Sequence, residues 1–149
     1  ERPLPSETAI VECRVSSGSD QGASWGPGLA LVWPGKLLQV QLRSDGRMGI
    51  SDGTKETLVR PATPHRRTWN HLRVRLEADQ VVVECSAAGG LVWEQVHALP
   101  RRQYPGAPAA VRLGKMNPRG TSKDYPTPGP GGACAITGLR GWGQAVVSR

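Results

Sequence analysis

Between Trp69 and Ser86 the chain alternates apolar and polar residues with a period of two, reverses over three residues, and alternates again. Leu72, Val74 and Leu76 take one parity, and His71, Arg73 and Arg75 take the other. After Ala78-Asp79-Gln80, Val81, Val83 and Cys85 alternate with Val82, Glu84 and Ser86. Only an extended strand sends successive side chains to opposite faces, so this segment reads as a hairpin with an apolar face. A lone hairpin cannot bury that face, and it needs further strands to close on it.

The rest of the chain supplies them in the same style. Ile10 to Val15 and Gly28 to Trp33 are strands, followed by Leu38, Val40 and Leu42 alternating with Gln39, Gln41 and Arg43. Pro34-Gly35, Ser44-Asp45-Gly46 and Asp52-Gly53 carry turn chemistry, and between and after them come the returns Arg47 to Ile50 and Thr57 to Arg60. Gly89-Gly90 leads into Leu91 to Val96, and Ala109 to Lys115 and Ile136 to Gly143 complete the set. No helical periodicity or internal repeat competes with this pattern. The 13 Pro and 19 Gly fit short strands joined by tight turns better than a helical bundle. About nine or ten short strands must close one apolar face on another, which predicts an all-β, two-sheet antiparallel sandwich. With 149 residues, 38% of them hydrophobic, the chain suits one such domain spanning 1–149. Its opening, Glu1 to Thr8 with Pro3 and Pro5, reads as a lead-in, so the domain is expected to be part of a larger protein.

Three stretches resemble the concanavalin A-like lectin/glucanase superfamily, including its laminin G-like branch. They are the hairpin that opens Trp69-Asn-His-Leu-Arg-Val-Arg-Leu-Glu, the early strand Trp25-Gly-Pro-Gly-Leu-Ala-Leu-Val-Trp33, and the closing Ile136-Thr-Gly-Leu-Arg-Gly-Trp142. The resemblance implies a jelly roll of two curved sheets with the first and last strands side by side in one of them. It also implies a sugar-binding module or, in one branch, a glycoside hydrolase. By that strand arrangement Cys13 would come near Cys134 and be open to bridging it. Cys85, in phase with Val81 and Val83, reads as a buried thiol.

The hydrolase branch resembles Glu-x-Asp-x-Glu on one strand, because retaining cleavage needs two carboxyl groups roughly 5 Å apart. No such triplet occurs, and Glu77 and Asp79, the nearest approach to it, straddle a turn. Gly-x-Ser-x-Gly strings occur over residues 22–26 and 49–53, but no helical pattern follows either to make the strand-to-helix elbow that a nucleophile needs, so the chain is expected not to be an enzyme. Three cysteines lack metal-ligand spacing, and Asp20, Asp45, Asp52 and Asp124 are too dispersed for a calcium set. Neither a metal nor a cofactor is expected. No apolar run is long enough to span a bilayer, so membrane insertion is not expected either.

The formal charge of +7 brings an anionic partner into consideration, although a biased base composition, which an Arg-rich chain without Phe also suggests, accounts for it equally. Nucleic acid ranks low, since alternation scatters the arginines over separate faces. The candidate ligand-binding residues are the polar parities of two strands, Gln39, Gln41 and Arg43 with His71, Arg73 and Arg75. If these strands share a sheet, their amides and guanidinium groups form one stripe suited to hydroxyls, carboxylates or sulfates. Trp25 and Tyr125, in loops, are candidate platforms for a sugar's C–H face. Trp33, Trp69 and Trp142 are expected in the core, Trp93 is open to either reading, and Tyr104 is a further loop aromatic. Arg119, Lys123 and Asp124 join Tyr125 in the long connection Met116 to Ala133, a length usual for a functional or a disordered loop. The reading is a non-catalytic carbohydrate-binding accessory domain, suited to an acidic glycan and carried with neighbouring domains by an extracellular or cell-envelope protein. The alternative is a protein-protein interaction module or structural spacer.

Overall fold

A computed structural model describes residues 8–18, 26–63, 69–87, 89–115 and 134–143. Ten strands form two five-stranded antiparallel sheets. In chain order they are β1 (Ala9–Ser16), β2 (Pro27–Trp33), β3 (Lys36–Leu42), β4 (Met48–Ser51), β5 (Glu56–Val59), β6 (Asn70–Leu76), β7 (Gln80–Ser86), β8 (Glu94–Pro100), β9 (Ala110–Lys115) and β10 (Ala135–Gly143). The first sheet runs β10-β1-β6-β7-β8 and the second β5-β4-β3-β2-β9. The fold class is therefore the two-sheet antiparallel sandwich that alternation predicts, and the first and last strands pair in one sheet, as the resemblance to jelly-roll domains implies.

The two apolar parities meet between the sheets. Val11, Cys13 and Val15 of β1, Leu72 and Val74 of β6, and Val81, Val83 and Cys85 of β7 face Leu29 and Leu31 of β2 and Leu38, Val40 and Leu42 of β3, all fully buried. Burial of such side chains contributes roughly 1.5–3 kcal/mol each, against the entropy of ordering the strands. At one end, Trp33 packs on Tyr104 with ring centroids 5.0 Å apart. Trp33 Nε1 and the buried Arg101 both donate to the carbonyl of Gly106, at 3.0 and 2.8 Å. A single 3-10 turn over Arg101–Gln103 makes that corner, and Tyr104 is a core residue rather than a loop aromatic open to ligand.

Beyond Tyr104, the structure departs from the sequence reading at Leu91, Trp69 and Trp142, and it answers the open question of the cysteines. The strand after Gly89-Gly90 begins at Glu94, not Leu91, because both glycines take positive φ and prolong the turn through Val92. Trp69 is 38% exposed, since it shares the outward parity of His71 and Arg73 and stacks under Arg14, whose guanidinium carbon lies 5.1 Å from the ring centroid. Trp142 is 44% exposed for a less visible reason. A bulge at Gly138 (φ 63°) places two residues, Gly138 and Leu139, opposite Cys13 and inverts the phase of β10, so Ile136 and Leu139 both turn to the core while Arg140 and Trp142 face outward. Finally, all three cysteines are free. Ala135 pairs with Ser16, which leaves Cys134 four residues along β1 from Cys13, roughly 13 Å at strand rise and beyond the ~7 Å a disulfide spans.

Candidate functional site

The predicted stripe does not form, because β3 and β6 lie in different sheets. Gln39, Gln41 and Arg43 do take the parity opposite to the core, yet Gln39 is 2% and Gln41 1% exposed. Gln41 Oε1 accepts hydrogen bonds from the backbone N–H of Gly26 at 3.2 Å and from Gln39 Nε2 at 3.3 Å. Its Nε2 donates across Gly49 to Glu56 Oε1 at 2.9 Å, and Arg43 pairs with the other oxygen of the same carboxylate. The route explains Gly49, where an added Cβ would collide with Glu56 Oε1 and lie 2.9 Å from Gln41 Nε2. These three polar side chains form an internal network tying β3 to β5, as buried polar groups generally require.

The outer face of the first sheet is different. Strand register sets out three successive rows across it: Trp142, Ile10, Arg75 and Val82; then Arg140, Glu12, Arg73 and Glu84; then Thr137, Arg14, His71 and Ser86. In the middle row Arg73 donates through Nε and an Nη to Glu12 Oε2, at 3.1 and 2.8 Å, and lies 3.9 Å from Glu84. Its guanidinium carbon sits 3.6 Å from the centroid of Trp93, a cation–π contact that fixes both groups. Arg75 is also paired, at 3.1 Å with Glu84 and with Glu77. Of the arginines predicted to meet a ligand, Arg73 and Arg75 thus have carboxylate partners already.

At the end of the face where β7 hands over to β8, a cleft of about 400 Å³ opens around Glu12, Arg14, His71, Arg73, Trp93 and Arg140. Thr137 and Gly138 border it from β10, and Gly89 and Gly90 from the turn. Three guanidinium groups face one carboxylate there. Among the described residues, Arg14 and Arg140 form no ion pair, and both line the opening, Arg14 with its guanidinium over Trp69. His71 meets Trp93 edge-on, with centroids 6.1 Å apart, and partial burial, together with Arg14, Arg140 and Arg73, holds its pKa below the usual histidine value. A neutral imidazole offers one donor and one acceptor, beside two cations, a hydroxyl and an indole edge. The set suits an anionic, hydroxyl-bearing ligand.

The structure thus brings together His71 and Arg73 of the predicted residues, with Arg75 one row away. It puts Gln39, Gln41 and Arg43 on the other sheet, while Trp25, Tyr125, Arg119, Lys123 and Asp124 lie outside the described residues. Sequence reasoning missed Arg14 and Arg140. Both were findable: Arg14 alternates with Cys13 and Val15, and pairing the first strand with the last brings the closing segment's Arg140 onto the same face. No group of three or more His, Cys, Asp or Glu that would hold a metal ion occurs among the described residues. No helix among them is long and apolar enough to cross a membrane.

No protein-family model and no curated protein matches the chain. Solved structures do. A mutant of the GH43 protein BlXynB from Bacillus licheniformis superposes over 93% of this chain with a TM-score of 0.65 at 10% identity. The chain spans only 28% of that protein's length. A functionally unknown protein from Saccharomyces cerevisiae matches over 93% of this chain and 71% of its own, with a TM-score of 0.60 and 17% identity. A native heptameric SAP-like pentraxin from Limulus polyphemus matches over 98% and 69%, with a TM-score of 0.53 and 11% identity. At these identities the likeness is one of fold.

Proposed function

We propose that this chain is a non-catalytic carbohydrate-binding domain that takes an acidic glycan in the Arg14, His71, Trp93 and Arg140 cleft. The observation that carries the reading is a pair of arginines without carboxylate partners among the described residues, beside an indole and a neutral imidazole, around an opening of about 400 Å³. Guanidinium groups match carboxylate and sulfate oxygens in bidentate geometry, and a neutral imidazole exchanges hydrogen bonds with hydroxyls. The fold neighbours are compatible with it, one being a GH43 protein and another a pentraxin. The chain's formal charge of +7 favours approach of a polyanion.

A glycan array followed by calorimetric titration tests the proposal. Sulfated or uronic oligosaccharides are expected to bind, neutral ones are expected to bind at least tenfold more weakly, and the Arg14→Ala/Arg140→Ala variant is expected to lose the difference. Equal binding of neutral and acidic glycans, or none of either, would overturn it. One observation favours a second reading, a protein-interaction module: Leu91 and Val92, 88% and 70% exposed, stand side by side next to the cleft.

A further inference from the structure

Resting on that reading, we infer that the site is not the cleft alone but a groove along β1, and that its ligand is an acidic oligosaccharide longer than a disaccharide. A second hollow, of about 370 Å³, lies around Ile10, Arg75, Leu76, Glu77 and Trp142. Ile10 and Trp142 are cross-strand partners on the same outer face as Arg14 and Thr137, so the hollow, which reaches inward to Ala9 and Leu76 at the end of the sheet, opens onto the surface that carries the cleft. Ile10 and Arg14 are four residues apart on one strand, which separates the hollow from the cleft by roughly 13 Å, about the reach of a tri- or tetrasaccharide.

The chemistry changes row by row between them. The first row is apolar at its Trp142 and Ile10 end, where the exposed indole suits the C–H side of a sugar ring. Next come Glu12 and Arg73, held to each other at 2.8 Å and oriented by Trp93, with donors and acceptors spaced along a rigid pair for hydroxyls. The last row carries Arg14 and His71, with Arg140 beside it, for a carboxylate or sulfate. An isolated uronic acid fills one end only. A chain lying along β1 uses all three rows, and Arg75, neutralised by Glu77 and Glu84, leaves the Trp142 end without a demand for a second anion.

The probe is a series of oligogalacturonates from one to six units, titrated into the wild-type domain, Trp142→Ala and Arg140→Ala. Thermal melts are run alongside to confirm that each variant is folded. The wild type is expected to gain about tenfold in affinity between dimer and tetramer, the worth of one stacking contact, and then to level off. Trp142→Ala is expected to abolish that gain while leaving monomer and dimer affinities unchanged, and Arg140→Ala to weaken every length alike. If the length dependence survives Trp142→Ala, or if affinity already levels off at the monomer, the groove is refuted while the acidic-glycan cleft stands. If Arg140→Ala changes nothing at any length, the cleft reading itself fails and the groove with it.

Discussion

His71 and His97 show how a side chain's surroundings reverse its behaviour in water. Desolvation lowers both pKa values from the ordinary 6.5, and for His71 three arginines add to it against the opposing pull of Glu12. Since the folded state takes up these protons less readily than the unfolded chain, stability is held above about pH 6.5 and lost as pH falls through the folded pKa values. Urea midpoints measured from pH 7.5 down to 5 are expected to decline, and His71→Gln is expected to flatten part of that decline. The lowered pKa values of Asp45 and Asp52 act in the same direction but only below the ordinary carboxylate range, so the two effects separate on the pH axis. Gln41 makes the complementary point. Its outward parity predicts a solvated amide, but Gly26, Gln39 and Glu56 engage it. No local feature of the sequence distinguishes a strand glutamine that meets water from one that meets a carboxylate two strands away.

Among the elements, β10 shows what one residue does to a strand. Simple alternation from Ile136 sends Trp142 into the core, and the bulge at Gly138 sends it out, together with Arg140. The positive φ of Gly138 is one that L-residues adopt only at a cost of about 1–2 kcal/mol. Its position therefore joins backbone strain to the site: an added Cβ would also meet the Arg14 stem at 3.6 Å. Gly138→Ala is expected to lower stability by about 1–2 kcal/mol in denaturant titrations. It is also expected to weaken acidic-glycan binding more than Gly35→Ala, a control at another positive-φ turn glycine with open space around it. The β6–β7 hairpin behaves in the opposite way. With no bulge between its two strands, its whole register from His71–Ser86 to Leu76–Val81 follows the alternation read from the sequence.

In the whole molecule, closing the two sheets decides the state of the thiols. Cys13 and Cys85 flank Leu72 in one inward row, and burial pushes both thiols up to about 12, with Glu12 adding to the shift at Cys13, and Glu94 and Glu84 at Cys85. Cys134, half-buried just before β10, is the most accessible of the three. Titration with a thiol-reactive disulfide at pH 8 is expected to register one reactive thiol in the folded protein and all three after denaturation; three at once would contradict the packing. The sequence by itself determined the period of two, the turns at Gly35, Gly46 and Gly53, and the apolar parity that demands a second sheet, because these depend on neighbours along the chain. Only the tertiary structure decided which outward residues are free. Contacts across the sheets buried Gln39 and Gln41, neutralised Arg73 and Arg75, and assembled Arg14, His71 and Arg140 from the first, sixth and last strands. Burial and charge pairing are properties of what lies across the sheet, and a period of two specifies a face without specifying what that face will meet.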